Sequence, residues 1–246
     1  MGKGKLKKYA EIGTFANVIE SPFLDRNQPD DERKGKWSHE FFKNDNPLVL
    51  ELGCGKGEYS IGLARKFTDK NFIGVDSKGA RLWNGAGKAL AEKVLNVCFI
   101  RSNIEIIEKF FAPEEIEQIW LTFPDPQMKK TNKRLTSVYF LKKYQNILKK
   151  DGVIHLKTDS LFQYRYTIEV LKKNNLEIIA QTEDLYKSEC IDDVKSIQTF
   201  YEKQWRRRGI SIKYVAFNLN NGGPLEEPEV EIEKDPYRSF GRSARE

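Results

Sequence analysis

From about residue 47 onward, short apolar runs alternate along the chain with longer stretches of mixed polarity. The short runs are apolar at nearly every position, which is typical of strands covered on both faces of a parallel sheet. The longer stretches keep helical spacing, as Phe140, Leu141 and Tyr144 do in the segment 138–149. This alternation predicts an α/β fold with a mostly parallel sheet and helices on both of its faces. The predicted strands are 48–52, 71–75, 97–101, 119–123 and 153–157, and the predicted helices are 59–67, 80–94, 104–111, 138–149 and 162–173.

Two further strand-like runs, 177–181 and 213–218, follow the last predicted helix. A parallel pair of strands needs a long crossover connection, usually a helix, and no long helix is predicted between these two runs. They can therefore pair antiparallel, which would add one late antiparallel strand to the sheet.

The two ends of the chain differ from this central pattern. Residues 1–46 are polar, contain Pro22 and Pro29, and interleave aromatic residues with charges. This composition predicts a basic and aromatic N-terminal arm that is irregular and packs partly on the domain. Residues 226–235 carry six acids and one lysine, which predicts an acidic, flexible tail over 221–246. The segment 47–220 between them is predicted to be one α/β domain.

Charge and cysteine content narrow the classes of function. The 246 residues carry a net charge of +6, with basic clusters near 3–8, 129–134 and 203–208, which suggests a polyanionic partner. Three cysteines lie far apart and only two histidines are present, so neither a metal site nor a disulfide framework is expected. No apolar run approaches the roughly 20 residues of a membrane span, and no signal peptide is visible. A cytoplasmic protein without a membrane partner is expected.

A glycine-rich turn follows the first predicted strand of the domain. Residues 48–57 read Leu-Val-Leu-Glu-Leu-Gly-Cys-Gly-Lys-Gly, so Gly53, Gly55 and Gly57 come directly after an apolar run. Such a turn brings backbone N–H groups close to a nucleotide-like ligand. A nicotinamide-binding turn would have its third glycine where Glu58 stands, which counts against that cofactor.

Two carboxylates refine the kind of ligand that this turn predicts. Asp76 ends the second strand roughly 20 residues after the turn, where a carboxylate commonly accepts hydrogen bonds from ribose hydroxyls. Glu51 precedes the turn, where it would repel a pyrophosphate but would suit an ammonium or sulfonium group. S-adenosylmethionine carries both of these cationic groups and a ribose.

A second motif ends the fourth predicted strand. Residues 121–126 read Leu-Thr-Phe-Pro-Asp-Pro, which places Asp125 between two prolines. Ligands of open α/β sheets bind beyond the carboxyl ends of the strands, so both motifs are expected at one edge. Asp125 can alternatively be a residue that only caps the following turn.

The two motifs together resemble a known family. Residues 51–57 are similar to the first motif of class I S-adenosylmethionine-dependent methyltransferases, which have a Rossmann-like fold. Residues 123–126, with the basic residues that follow at 129–134, resemble the signature of the bacterial tRNA (guanine-N7)-methyltransferases. The segments 155–159 and 199–202 fit the same family, and the resemblance spans about 47–218. Gln127 and Met128 depart from the family pattern, which commonly has an aromatic residue followed by histidine or proline.

This resemblance implies a function and a set of site residues. It implies methyl transfer from S-adenosylmethionine to N7 of a guanine in tRNA, at guanosine 46 of the variable loop, with Asp125 as the catalytic residue. Asn103 stands where many relatives have an aspartate and is expected to face the adenine. The implied cofactor-binding residues are Glu51, Gly53, Gly55, Gly57, Asp76, Asn103 and Asp125. The implied tRNA-binding residues are Lys129, Lys133, Arg134, Asp159, Thr199, Phe200, Tyr201 and Glu202.

Alternatives remain open at the level of the sequence. Asp159 can be the N-cap of a helix starting near Leu161, with Ser160 competing for that role, and Glu202 can be a solvent-facing charge. Another nucleobase methyltransferase is the runner-up, although an N6-adenine enzyme would carry Asn/Asp-Pro-Pro and an aromatic residue after the fourth strand. A basic RNA-binding module with a degenerate cofactor pocket is the third possibility. The sequence does not decide between a monomer and a homodimer.

Overall fold

The computed structural model describes residues 3–219 and 223–236. These residues form an eight-stranded sheet with six α-helices and short helical turns. The helices are α1 (Lys3–Ile12), α2 (Glu58–Lys66), α3 (Gly79–Ala91), α4 (Val138–Gln145), α5 (Leu161–Lys173) and α6 (Phe200–Arg207). The strands are β1 (Val18–Ser21), β2 (Leu48–Leu52), β3 (Asn71–Val75), β4 (Val97–Ser102), β5 (Ile116–Thr122), β6 (Leu148–Thr158), β7 (Ile178–Thr182) and β8 (Lys213–Phe217).

The order of the strands is β1-β4-β3-β2-β5-β6-β8-β7. All neighbouring pairs from β1 to β6 are parallel, whereas β8 pairs antiparallel with both β6 and β7. The mostly parallel sheet and the late antiparallel strand are therefore both confirmed. The strand order reverses between β2 and β5, and ligands bind at such a switch point in open α/β sheets.

Two apolar layers cover the two faces of the sheet, as the apolar runs predict. In β2, Leu48, Leu50 and Leu52 belong to the layer that contains α4 and α5, whereas Val49 belongs to the layer that contains α2 and α3. All five residues of β2 are buried, because the strand has no solvent-facing side. Fully burying a side chain of this size contributes about 1.5–3 kcal/mol, so the central strands form a rigid base for the turns that follow them.

The prediction that residues 1–46 are irregular is wrong for much of this segment. The helix α1 packs on α3, where Lys8 Nζ donates to Asn84 Oδ1 at 3.4 Å and Trp83 Nε1 donates to Glu11 Oε2 at 3.1 Å. Strand β1 extends the sheet next to β4. The α1 sequence is lysine-rich and β1 has only four residues, so neither gives a strong periodic signal. The sheet therefore includes part of the predicted arm.

The prediction of a mobile acidic tail is wrong for residues 223–236, which we call the acidic strap. Glu227 Oε1 accepts a hydrogen bond at 2.8 Å from the N–H of Val138, the first residue of α4. Asp235 Oδ1 accepts one at 3.1 Å from the N–H of Phe162 in the first turn of α5. Carboxylates stabilise helix N-termini by accepting from unpaired N–H groups, so these acids hold the strap in place. Residues 220–222 and 237–246 of the predicted tail lie outside the described residues.

Other boundaries shift by a few residues. The predicted helix 104–111 is a short 3-10 helix over Ile104–Lys109, and the predicted helix 138–149 ends at Gln145 because β6 begins at Leu148. The predicted strands 48–52 and 71–75 have the observed bounds.

Candidate functional site

The glycine turn leaves its backbone open after β2. Gly53 and Gly55 have φ angles of 80° and 58°, a region that favours glycine over residues with a Cβ atom. A Cβ atom on Gly55 would meet nothing within 4 Å, and the nearest atom to one on Gly53 would be Leu135 Cδ1 at 3.8 Å. A ligand can therefore approach this backbone closely, as binding of a nucleoside group requires.

Gly57 has a different reason to be glycine. Its φ angle is 66°, and a Cβ atom there would lie 2.4 Å from the ring of Phe99 in β4. In the same way, a Cβ atom on Gly85 of α3 would lie 2.3 Å from the carbonyl oxygen of Lys56. Both glycines let the turn pack tightly against its neighbours. The predicted role of Gly57 in cofactor binding stays a prediction.

Asp76 holds the glycine turn in shape. It follows β3 and is largely buried, and its Oδ2 accepts from the N–H of Gly55 at 3.0 Å, while its Oδ1 accepts from the N–H of Lys78 at 2.8 Å. Each oxygen of a carboxylate can accept more than one hydrogen bond. This bonding is therefore compatible with the predicted contact between Asp76 and ribose hydroxyls.

Glu51 lies behind the turn in a buried, polar environment. Its Oε2 accepts from the N–H of Ser60 at 2.8 Å and from the Ser60 hydroxyl, and its Oε1 accepts from the Thr122 hydroxyl. Burial raises the pKa of Glu51 to about 7, although these hydrogen bonds lower it. Glu51 therefore ties β2 to α2 and β5. Its predicted contact with a cationic ligand stays a prediction.

The loop after β5 presents Asp125 to solvent. The carboxylate is exposed, and its Oδ1 accepts from the N–H of Gln127 at 3.2 Å. Phe123 and Gln127, on either side of the Pro-Asp-Pro segment, have φ angles of 51° and 46°. Such angles are uncommon for residues other than glycine and are found mainly where the surrounding structure imposes them, often at functional sites. Asp125 is thus a turn residue as well as the catalytic candidate.

Asn103 and Lys133 meet at Glu105. Asn103 caps the 3-10 helix that follows β4, because its Oδ1 accepts from the N–H of Glu105 at 2.9 Å. Glu105 is buried and forms ion pairs with Lys133 and with Arg26, whose Nη2 lies 3.1 Å from Oε2. These two cations lower the pKa of Glu105, although its burial has the opposite effect. The charge of Lys133 is therefore partly neutralised within the protein.

Arg134 is a structural residue, contrary to the expectation that it binds tRNA. Its side chain is buried and donates to the carbonyl oxygens of Gln127 and Met128, both at 3.3 Å. Its guanidinium lies over the rings of Phe162 and Tyr166, at 4.7 and 4.3 Å from their centroids. Arg134 therefore fixes the loop that carries Asp125 onto α5.

Asp159 lies at the end of β6 and is buried. Of the two candidates for the N-cap of α5, Ser160 has this role, since its Oγ accepts from the N–H of Gln163 at 2.9 Å. The backbone carbonyl of Asp159 accepts from Lys213 Nζ at 3.1 Å. Contact of Asp159 with tRNA stays a prediction.

Thr199 and Glu202 form the capping box of α6. Glu202 is fully buried, so it is not the solvent-facing charge that the sequence left open, and direct contact with tRNA does not fit its position. It forms an ion pair with the buried Lys157 at 2.8 Å and accepts from Tyr186 Oη at 2.7 Å. Lys157 also donates to the carbonyl oxygens of Lys195 and Ile197. These buried polar groups anchor the start of α6 to β6.

Phe200 and Tyr201 begin α6 and are both exposed. The N–H of Phe200 donates to Oε2 of Glu58 at 2.9 Å, and Lys56 Nζ lies 4.5 Å from the centroid of the Phe200 ring. Lys56 and Glu58 flank the last glycine of the turn, so the start of α6 lies beside that turn. Lys56 is not among the predicted site residues, although its position inside the glycine motif is a usable signal.

The structure therefore brings one group of predicted residues together at the edge of the sheet where the parallel strands have their carboxyl ends, which we call the carboxyl edge. At this edge lie the glycine turn, Asp76, Asn103, the Asp125 loop and the start of α6. Arg134, Thr199 and Glu202 support this surface from within.

Among the described residues, no cluster of three or more histidine, cysteine, aspartate or glutamate side chains could hold a metal ion. No helix in this part of the chain is both long and apolar enough to cross a membrane.

Comparison with solved structures shows the fold. The 16S rRNA methyltransferase KamB superimposes with a TM-score of 0.58 at 11% identity, over 77% of this chain and 94% of that one. A structure described as an antibiotic related methyltransferase gives a TM-score of 0.57 at 16% identity, over 79% and 97% of the two chains. The Rossmann-like fold of class I methyltransferases is therefore confirmed.

Comparison of sequences shows the family. A family model described as "Putative methyltransferase" matches residues 45–215. A protein of Bacteroides thetaiotaomicron named tRNA (guanine-N(7)-)-methyltransferase is 55% identical over 245 residues, which cover 100% of this chain and 97% of the relative. A protein of Porphyromonas gingivalis with the same name is 49% identical over 238 residues, or 94% and 97% of the two chains. Since such identity extends over both the glycine turn and the Asp125 loop, the chain belongs to the tRNA (guanine-N7)-methyltransferase family of enzymes.

Proposed function

We propose that this protein transfers a methyl group from S-adenosylmethionine to N7 of a guanine in tRNA, at guanosine 46 of the variable loop. One observation carries the proposal: the open glycine turn and the exposed Asp125 follow the adjacent strands β2 and β5 at the switch point of the sheet. The names of the full-length relatives support the base and the RNA class. The position in the tRNA rests on the resemblance of the sequence motifs alone.

The residues in and around the glycine turn fit the proposed cofactor. The open backbone at Gly53 and Gly55 suits a ligand that approaches closely, and Asp76 offers carboxylate oxygens to ribose hydroxyls. Asn103 has an amide that can face an adenine edge. Glu51 would provide a negative charge behind the turn for a cationic cofactor. When bound, S-adenosylmethionine supplies an electrophilic methyl group.

The chain itself needs to position the base and stabilise its charge. Guanine N7 has a free lone pair at neutral pH, so no strong base is required. Methylation at N7 leaves a positive charge on the guanine, and a nearby carboxylate stabilises that charge as it develops. Asp125 suits this role because two prolines and the N–H of Gln127 fix its position. Holding the base in line with the methyl group supplies the remaining catalysis through proximity.

The exposed side chains around this edge suit RNA. Lys129 and Lys130 are exposed in the Asp125 loop, and Phe200 and Tyr201 are exposed beside the glycine turn. Lysines bind phosphates, and aromatic rings stack on unpaired bases. The major groove of an A-form helix is too narrow and deep for side chains to read, so the target guanine must be loosened from the tRNA structure. Because its substrate is tRNA, we place the activity in the cytoplasm.

A direct test is to incubate the protein with tRNA and methyl-labelled S-adenosylmethionine and then to analyse the nucleosides. We expect labelled 7-methylguanosine. In the same reaction, tRNA in which guanosine 46 is replaced should receive no label, which identifies the position. Label in another base would show the runner-up, a different nucleobase methyltransferase. No label, with measurable tRNA binding and no cofactor binding, would show a non-catalytic RNA-binding module.

A further inference from the structure

Three aromatic side chains are exposed among the described residues, and all three lie at the carboxyl edge. Phe200 and Tyr201, at the start of α6, are 46% and 38% exposed, and Phe23 is 78% exposed. Phe23 follows β1, which runs parallel to β4 with Ser21 beside Ser102. The segment 22–28, which we call the arm loop, therefore leaves the sheet on the same side as the glycine turn and the Asp125 loop.

The arm loop is closed by its own hydrogen bonds. Ser21 Oγ donates to Gln28 Oε1 at 3.1 Å across its two ends, and the N–H of Gln28 donates to the carbonyl of Asp25 at 3.4 Å. The N–H of Asn27 donates to Oδ1 of Asp25 at 2.9 Å. These bonds join the two ends of the loop and order residues 25–28, and Phe23 is exposed between the joined ends.

The arm loop is also fastened to the proposed site. Arg26 pairs with Glu105 and lies 3.4 Å from the hydroxyl of Tyr139, which follows the Asp125 loop. Glu105 pairs with Lys133 of that loop, and Asn103 caps the same helical turn. The arm loop is therefore linked through Glu105 to both predicted sides of the edge, to Lys133 through the carboxylate of Glu105 and to Asn103 through its backbone N–H.

We propose that the arm loop is a second RNA-binding surface, on which Phe23 stacks against an unpaired base near the target guanosine. Arg26 is 67% exposed and remains available to phosphate while it pairs with Glu105. The inference rests on the proposed tRNA substrate and adds a binding residue to it. The start of α6 lies beside the glycine turn, whereas the arm loop lies across β4, β3 and β2 from β5. Exposed aromatic side chains thus lie at two separate places along the carboxyl edge, beside the glycine turn and after β1.

The surroundings of Phe23 favour RNA over a protein partner. A single exposed ring with one exposed leucine, Leu24, is a small apolar patch for a stable protein interface. Exposed lysines at 129 and 130 lie at the same edge, and aromatic rings next to cations are typical of surfaces that bind unpaired nucleotides.

The test compares Phe23→Ala and Phe23→Trp with the wild-type protein. Stacking of one base contributes an amount that corresponds to roughly a 5- to 150-fold change in affinity, so Phe23→Ala should weaken tRNA binding within that range. Affinity for S-adenosylmethionine and the melting temperature should not change. Phe23→Trp should keep the affinity, and the fluorescence it adds should be quenched by tRNA but not by a plain RNA duplex. Leu95→Ala is the matched control, because Leu95 is 86% exposed at the opposite edge, before β4.

The outcomes separate this inference from the proposed function. If the wild-type protein methylates tRNA and Phe23→Ala binds tRNA as tightly, the arm loop does not stack on RNA and only this inference is wrong. If Phe23→Ala instead abolishes self-association in sedimentation and leaves tRNA affinity unchanged, the loop is an interface between copies of the chain. If the wild-type protein binds no tRNA, both proposals are wrong.

Discussion

Glu51, Asp76 and Asp125 lie at the carboxyl ends of neighbouring strands, but their surroundings give them different roles. Glu51 is buried among hydroxyl and N–H donors, and burial raises its pKa to about 7. Asp76 accepts hydrogen bonds from the backbone of two turns. Asp125 is exposed and accepts from one N–H group. Of these three carboxylates, Asp125 is therefore the exposed one, and it can face a bound base while it still accepts from Gln127.

Replacing Asp125 with asparagine tests its charge separately from its role in the turn. Asparagine keeps an oxygen that can accept from the N–H of Gln127, so the loop should hold its conformation. If the carboxylate stabilises the cationic guanine, the methylation rate should fall roughly 10²–10³-fold, with small changes in tRNA and cofactor affinity. Single-turnover methylation at saturating tRNA and cofactor measures this effect. A near-normal rate in a folded variant would leave Asp125 as a turn residue.

Glu51 predicts a dependence of stability on pH. Its folded-state pKa of about 7 lies above the usual value of 4.5, so folding favours its protonated form. The resulting stability is fully present below about pH 4.5 and is lost as the pH rises through 7, by about 3 kcal/mol. In Glu51→Gln, the amide can accept from Ser60 and donate to Thr122, so this loss should disappear. Urea denaturation of the cofactor-free protein at pH 5 and pH 8 compares the two. Equal losses in both proteins would contradict the assignment.

At the scale of elements, the sequence predicts the strands and helices whose residues follow a strong local pattern of apolar positions. Strands 48–52 and 71–75 are identified with their observed bounds because their runs are apolar throughout. The helix α1 is missed because four of its ten residues are lysines, and its burial depends on α3, far along the chain. The role of Arg134 is also not visible in the sequence, since the rings that bury it belong to α5. The motifs predict where the candidate site residues lie in the fold, but the residues that pack against them could not be predicted.

The acidic strap shows how distant residues complete an element. Ser137 at the N-cap of α4 makes no side-chain capping bond, and Glu227 accepts from the N–H of Val138 instead. Asp235 adds a second acceptor at the start of α5, next to the Ser160 cap. The strap therefore stabilises the helices that support the Asp125 loop and the end of β6.

Removing the carboxylate of Asp235 should destabilise the protein. Asp235→Ala leaves the N–H of Phe162 and the hydroxyl of Ser160 without this acceptor, and loss of a helix cap costs about 0.5–2 kcal/mol. The free energy of unfolding, measured by urea denaturation, should fall by that amount. Glu229→Ala is the control, because Glu229 is exposed in the same strap and should change the stability little. Equal effects of the two variants would indicate that Asp235 does not cap α5.

The buried pair Lys157–Glu202 predicts non-additive effects on stability. Glu202→Gln leaves the buried ammonium of Lys157 without its counter-charge, which costs about 3–5 kcal/mol. Lys157→Met in the same background removes that charge, so the double variant should be more stable than Glu202→Gln alone. Denaturation of the single and double variants measures the coupling. Additive losses would show that the two side chains do not act as a pair.

At the scale of the whole molecule, basic residues at the two ends of the sheet should differ in function. Lys129 and Lys130 are exposed in the Asp125 loop at the carboxyl edge, whereas Lys149 and Lys150 are exposed at the start of β6, at the opposite edge. The two pairs have the same charge and similar exposure. They therefore offer a matched comparison of where tRNA binds.

Changing both Lys129 and Lys130 to glutamine should weaken tRNA binding and flatten its dependence on salt. Each lost phosphate contact lowers the slope of log affinity against log salt concentration by roughly one, so the slope should fall by up to about two. The same change at Lys149 and Lys150 should leave the slope unaltered, and neither pair should change cofactor affinity. Fluorescence anisotropy of labelled tRNA across a salt series gives both slopes. If the two pairs lower the slope equally, tRNA is attracted by net charge and not by the carboxyl edge.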